Sequence, residues 1–122
     1  MKTLYTAKAF SKEGRNGHSQ TQDGNLKFEL STPEAPSKKT GLTTNPEELF
    51  ACGYSACFGT ALEYVADKKK ISVADAMIEA EVGLNTDDTG LFISVILNVS
   101  LPSIDRFDAV YLVEDAHQVC PY

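Results

Sequence analysis

The 122-residue chain lacks any apolar run of the eighteen or so residues that a membrane-spanning helix needs. Its first residues, Met1-Lys2-Thr3-Leu4-Tyr5, lead into alternation rather than into the apolar core of a signal peptide. A soluble, cytoplasmic protein with no membrane partner is expected. Positive charge is also scarce: eleven Lys and Arg face seventeen Asp and Glu, and the net charge of −6 repels a phosphate backbone. With no basic patch and no DNA-reading helix pattern, the chain argues against nucleic acid as a partner. Cysteine is too sparse for a secreted disulfide framework, since Cys52, Cys57 and Cys120 are an odd set that leaves at least one free thiol. No CxxC pair occurs, and His18 and His117 stand apart, so the converging ligands of a zinc site are missing and no metal is expected. Internal repeats and low-complexity tracts are absent too. What is present, 43% hydrophobic and 23% charged residues, is an ordinary folding composition, and the length suits one domain.

Alternation over Lys2 to Phe10 predicts a first strand. Gly14-Arg15-Asn16-Gly17 follows, where two glycines permit the positive φ angles of a tight turn and present Arg15 at a bend. His18 to Gln22, an Asp23-Gly24 turn and Leu26 to Leu30 complete a three-stranded meander, and Ser31 to Thr44 reads as a loop. Asn45-Pro46-Glu47-Glu48 has the form of a helix start, with Asn as cap, Pro in the first turn and Glu48 completing a capping-box pattern; the helix should run to about Asp67. Its early turns, Leu49 to Phe58, are apolar or small on nearly every side, which predicts burial all round and, in so short a chain, cover from a second subunit. Met77 to Leu84 and Leu91 to Leu101 alternate around a turn at Asn85 to Gly90 and predict a long hairpin. A final helix, capped by Ser103, carries Phe107, Val110, Tyr111, Glu114, Ala116, His117 and Val119 on a partly apolar face, and Pro121 ends it at Cys120. Cys52 reads as a core residue, with a cross-subunit disulfide as the alternative, and His117 as a packing or capping residue at the helix end.

Three separated motifs carry a family likeness: Gly14-Arg15-Asn16-Gly17-His18; Thr44-Asn45-Pro46-Glu47-Glu48-Leu49-Phe50 running on through Gly53-Tyr54-Ser55-Ala56-Cys57-Phe58; and Ala116-His117-Gln118-Val119-Cys120-Pro121-Tyr122. In this order they resemble the organic hydroperoxide resistance proteins, thiol peroxidases of the osmotically inducible protein C superfamily. The resemblance implies an α+β fold, an intertwined homodimer whose buried central helices are wrapped by antiparallel sheets, formed by a single domain over residues 1–122. It implies Cys57 as the peroxide-attacking cysteine, Cys120 as the resolving cysteine, and Arg15 with Glu47 as the pair supporting the thiolate. It also implies no bound cofactor, with an external dithiol, dihydrolipoamide on a lipoylated protein, as reductant. The chain departs from the family at Cys52, where alanine is usual, and at Tyr122, beyond which family members continue into a further strand.

The residues support this chemistry independently. Only a thiolate is a strong nucleophile, and burial on an apolar helix raises a cysteine pKa, so Cys57 needs a cation. Arg15 suits, because guanidinium stays charged and its fork can hold a carboxylate such as Glu47 while facing a sulfur or peroxide oxygen. The plainer readings stay open: Arg15 as a solvated surface charge, and Glu47 as a complement to the helix dipole. Glu47 and Cys57 lie ten residues apart in sequence, about 15 Å along one helix, so they cannot meet within it. Two copies crossing antiparallel about residue 52 would set Glu47 of one opposite Cys57 of the other, with small Ala51, Gly53 and Ala56 permitting close approach. Phe50, Phe58, Leu49, Val119 and Tyr122 are the expected substrate-binding walls, favouring an organic or fatty-acyl hydroperoxide over hydrogen peroxide. The alternatives are a peroxidase with broader hydrogen peroxide use, a redox-sensing thiol module, and a purely structural dimer.

Overall fold

Alternation in the amino-terminal segment becomes a strand only where a partner strand is available. In the structure, a computed structural model that describes residues 1–33 and 42–122, β1 (Ala9–Lys12), β2 (His18–Thr21) and β3 (Lys27–Leu30) form the expected antiparallel meander. β1 starts at Ala9 rather than Lys2, because β2 ends at Thr21, directly opposite Ala9, and the chain then turns at Asp23-Gly24. One further bond, from Gln22 N–H to the Lys8 carbonyl at 2.8 Å, extends the ladder, and residues 1–8 lie exposed. The loop expected over Ser31 to Thr44 ends in a two-residue strand, β4 (Thr43–Thr44), parallel to β3; residues 34–41 of that loop lie outside the described residues.

Helix α1 (Pro46–Lys68) starts where its sequence signals put it. Asn45 Oδ1 accepts the Glu48 N–H at 2.8 Å, closing one of the free amides of the first turn. The reciprocal half of the cap is altered: Glu48 Oε1 accepts from the Asn45 side-chain amide and from Thr44 Oγ1, each at 3.2 Å, instead of from the Asn45 backbone.

The chain divides into two compact units, Met1–Leu49 and Phe50–Tyr122. In the second, α1 continues to Lys68 and is followed by β5 (Met77–Asp87), β6 (Gly90–Ser100) and α2 (Arg106–Val119). The hairpin is longer and its turn tighter than the alternation suggests, since pairing runs from Met77 with Ser100 to Asp87 with Gly90 and leaves Asp88-Thr89 as the bend. Asp87 Oδ1 sets that bend by accepting the Thr89 N–H at 2.8 Å and its hydroxyl at 2.6 Å, and Gly90 takes the positive φ of 126°. The cap of α2 is Asp105, whose Oδ1 accepts the Asp108 N–H at 3.0 Å. Ser103, the expected cap, instead bonds Asp75, and a carboxylate complements the positive helix end better than a hydroxyl.

Phe58, Ala61, Leu62, Val65 and Ala66 recur at helical spacing along α1 and pack with Leu101, Leu112 and Ala116. Ile78, Leu97 and Val99 of the hairpin close this core from the sheet side. Burial along α1 is therefore one-sided and confined to its carboxy-terminal half, not all round: Cys52 and Ala56 are exposed, because the hairpin and α2 together cover only one face. Cys52, expected in the core, is an exposed free thiol. The hairpin also leaves Leu84, Leu91, Phe92, Ile93 and Ile96 exposed. Among the described residues no helix is long and apolar enough to cross a membrane.

Leu112, fully buried where α2 meets α1, carries much of this packing. Leu112→Ala is expected to destabilise the chain by about 2–5 kcal/mol, the transfer and cavity cost of a truncated core leucine, read as a lower midpoint in urea.

Candidate active site

A turn presents the first of the candidate groups. Glu13 and Gly14 adopt left-handed φ values of 63° and 57°, and Gly14–Asn16 then form one turn of 3-10 helix closed by the Gly17 N–H on the Gly14 carbonyl at 3.2 Å. Gly17 itself is not left-handed, with φ −107°; it is glycine for space, because a Cβ there would lie 1.7 Å from the Lys12 carbonyl oxygen. Leu30 N–H donates to the Gly17 carbonyl at 2.9 Å and ties the turn to β3. Arg15 is thus held at the tip by backbone constraints on both sides.

Glu47 occupies the second position of α1. Because Glu48 is spent on the cap, Glu47 is left to face Arg15, and the two meet as a two-pronged ion pair: Nη1 donates to Oε2 at 2.8 Å and Nη2 to Oε1 at 2.6 Å. The carboxylate side chain is 15% exposed and the guanidinium 41%. The Arg15 hydrogen bonds hold the Glu47 carboxyl below the usual carboxylate range against the opposing effect of burial, and the same bonds raise Arg15 further. Two of the five guanidinium N–H groups serve Glu47, which leaves donors for a further acceptor.

The second unit holds the thiols. Cys120 is the residue at which α2 stops: its N–H still reaches the Ala116 carbonyl at 2.9 Å, but its own φ and ψ of −64° and 125° are extended, as a residue before proline must be. This exit directs Cys120 Sγ onto Cys57 Sγ at 3.5 Å, a hydrogen-bonded contact between two free, half-buried thiols. Burial pushes the Cys57 thiol up, and the hydrogen bond and proximity of Cys120 push it further, while a backbone N–H of Tyr122 works the other way. Within its own unit, then, Cys57 favours the protonated form.

An apolar cleft of about 410 Å³ opens beside Cys57, lined by Thr60, Ala61, Tyr64, Val119 and Pro121. Of the expected wall residues, Val119 lines it. Phe50 and Tyr122 form an aromatic cluster with Tyr54, ring centroids 5.6 to 5.9 Å apart, and Tyr122 lies so close over Gly53 that a Cβ there would be 3.1 Å from its hydroxyl. Phe58 does not face the cleft; it is 1% exposed in the core, since the residue after Cys57 points about 100° away around the helix. Leu49 is half-buried in the first unit and is not among the cleft residues. Thr60, Ala61 and Tyr64 are not among the expected walls, although their positions three, four and seven residues after Cys57 are those that share a helix face with it. His117 is exposed in the last turn of α2. Among the described residues no group of three or more His, Cys, Asp or Glu side chains converges as a metal site would require.

A family model described as OsmC-like protein matches residues 39–122. The organic hydroperoxide resistance protein OhrB of Bacillus subtilis is 48% identical over 122 residues, covering 98% of this chain and 88% of the relative. An organic hydroperoxide resistance protein of Xanthomonas axonopodis pv. citri is 41% identical, covering 99% and 86%. The crystal structure of the Bacillus subtilis OhrB superposes with a TM-score of 0.91, covering 98% of this chain and 89% of that one. By family model, by sequence over nearly its whole length and by fold, the chain belongs to the OsmC-like family, among its organic hydroperoxide resistance proteins.

Proposed function

We propose that this protein is a thiol-dependent peroxidase that reduces organic hydroperoxides to alcohols and so protects against oxidative stress. The observation that carries the reading is the pair of free sulfurs, Cys57 and Cys120, 3.5 Å apart beside an apolar cleft. The names of its relatives support the hydroperoxide-detoxifying role.

In the proposed cycle the Cys57 thiolate attacks the outer peroxide oxygen. An S–O bond forms as the O–O bond breaks; the alkoxide takes a proton and leaves as an alcohol, and Cys57 becomes a sulfenic acid. The Cys120 thiol then attacks the sulfenic sulfur, releasing water and forming a disulfide. An external dithiol, proposed to be dihydrolipoamide of a lipoylated protein, takes up the oxidising equivalents and restores both thiols. The short separation of the sulfurs favours the second step over further oxidation to sulfinic acid.

Formation of the thiolate is the demanding part, because burial and Cys120 both raise the Cys57 pKa. The proposed answer is the Arg15–Glu47 pair, whose guanidinium keeps its charge and, with Glu47 fixing its plane, stabilises the thiolate and the negative charge developing on the peroxide. The protein is further proposed to act as a homodimer. Exposed apolar residues of β5 and β6 and the uncovered face of α1 call for cover, and an antiparallel crossing of two α1 helices would let each subunit support the thiol of the other.

The 122-residue protein, assayed with tert-butyl hydroperoxide and dihydrolipoamide, is expected to turn over repeatedly and to lose that activity in Cys57→Ser. Equal efficiency with hydrogen peroxide would favour broader peroxide use; a disulfide formed once without turnover would favour a redox sensor.

Arg15→Ala is expected to lower kcat/KM by roughly a hundredfold, the usual scale for removing one charged stabiliser. The direction of its pH effect follows from the charges: the reactive form is deprotonated, so rate rises with pH through the thiol pKa, and losing a cation moves that rise to higher pH. At the acid end the ion pair persists through the ordinary glutamate range and is lost only as pH falls through the depressed Glu47 pKa. A pH–rate profile of both proteins checks each limb.

Mixing separately inactive Cys57→Ser and Glu47→Gln proteins, followed by subunit exchange, is expected to restore part of the activity, because a mixed dimer contains one site with both residues intact. No recovery despite demonstrated exchange would contradict shared sites.

A further inference from the structure

A lysine that the proposed reaction leaves unused, Lys68, lies over a wall residue of the cleft beside Cys57. Along α1, Cys57, Ala61, Tyr64 and Lys68 follow at steps of four, three and four residues, which keeps them on one stripe of the helix. Eleven residues make three turns with only a small angular remainder, so Lys68 shares the face of Cys57 about 16 Å along the axis. Tyr64 is part of the cleft wall, and Lys68 Nζ folds back over its ring, 4.5 Å from the centroid. The ammonium group therefore stands beside the Tyr64 wall of the cleft, between the level of Tyr64, about 10 Å from that of Cys57, and its own.

Among the described residues its charge is not already committed to a carboxylate. Lys68 makes no ion pair with a described residue, whereas the adjacent Lys69 is held by Asp115 at 3.2 Å. Glu63 and Asp67, the nearby acids on α1, sit five residues and one residue before Lys68 and so fall on other faces of the helix. The carbonyls at the end of α1 disfavour an anion, but they amount to about half a charge against the full charge of Lys68.

Resting on the reading of Cys57 as a peroxidatic thiol, we propose that Lys68, with its stem on the Tyr64 ring, is an anion subsite that selects hydroperoxides of long-chain carboxylic acids. The peroxide, in mid-chain, meets Cys57; the intervening methylenes lie along Ala61, Tyr64 and Val119; the carboxylate meets Lys68. The span of the stripe matches the reach from a mid-chain carbon of a long fatty acid to its carboxylate, and the apolar lining suits what lies between. A lysine that served only the helix dipole would give no dependence on the charge at the far end of the substrate.

The test compares linoleic acid hydroperoxide with its methyl ester, in the wild-type protein and in Lys68→Gln, which keeps most of the stem over Tyr64 but not the charge. The preference for acid over ester, as a ratio of kcat/KM values, is expected to fall about three- to fivefold in Lys68→Gln, the scale of a partly exposed ion pair, and to be retained in Lys68→Arg. A ratio unchanged by Lys68→Gln overturns the proposal. A parallel measurement does not need turnover: calorimetric binding of dodecanoate to Cys57→Ser should weaken by a similar factor when Lys68→Gln is added. Binding that depends on Lys68, with no reduction of any hydroperoxide by the wild type, would uphold the anion subsite and contradict the peroxidase reading; turnover without dependence on Lys68 in either measurement would do the reverse.

Discussion

The contact between two sulfurs depends on how one helix is stopped and seated against another. Leu112 and Ala116 anchor α2 on Phe58, Leu62 and Val65 of α1, and Pro121 forces the chain into extended backbone at Cys120. Seating sets the separation of the helices, and termination sets the direction of the thiol. Neither device alone would bring Cys120 Sγ to 3.5 Å from Cys57 Sγ. The same packing has a chemical cost, since the surroundings that hold the two sulfurs together also raise the Cys57 pKa. A thiol suited to rapid disulfide closure is thereby poorly suited to ionise unaided, and the proposed mechanism needs a positive charge that the second unit does not itself supply to the sulfur.

The Arg15–Glu47 pair is made by two local structures that have no need of each other. Left-handed backbone at Glu13 and Gly14 and the absence of a side chain at Gly17 fix the bend that carries Arg15. The Asn45 cap fixes the first turn of α1, and its use of Glu48 leaves Glu47 available. Both oxygens of the carboxylate are engaged, so the guanidinium plane is set by two bonds rather than one. A lysine at position 15 would keep the charge and lose that fixed plane.

What could be read directly from the residues was whatever is decided locally. The Asn45-Pro46 start, the Asp23-Gly24 turn, the paired alternation of β5 and β6 and the stop at Cys120-Pro121 each follow from a few neighbouring side chains, and the structure has all of them. Local pattern misleads where a distant partner decides. Lys2 to Lys8 alternate like a strand, but β2 offers them no ladder beyond Thr21. Thr43–Thr44 form a strand without any alternation, because β3 presents an edge to them. Ser103 has the form of a cap, but its hydroxyl bonds Asp75. At the candidate site, apolar residues nearest Cys57 in sequence look like walls, yet helical geometry sends Phe58 to the core and brings Thr60, Ala61 and Tyr64 round to the sulfur. The composition around Cys52 reads as core, but one chain alone leaves its face of α1 uncovered.

The central claim is that Cys57 and Cys120 act as a chemical pair while Cys52 stands apart. It is tested most directly by treating the fully reduced protein with one equivalent of an organic hydroperoxide, blocking the remaining thiols and mapping the linkage by peptide mass spectrometry. A Cys57–Cys120 disulfide with Cys52 alkylated is the predicted result. Cys57 recovered as sulfinic acid with Cys120 still a free thiol, or a disulfide involving Cys52 in place of Cys120, would contradict it.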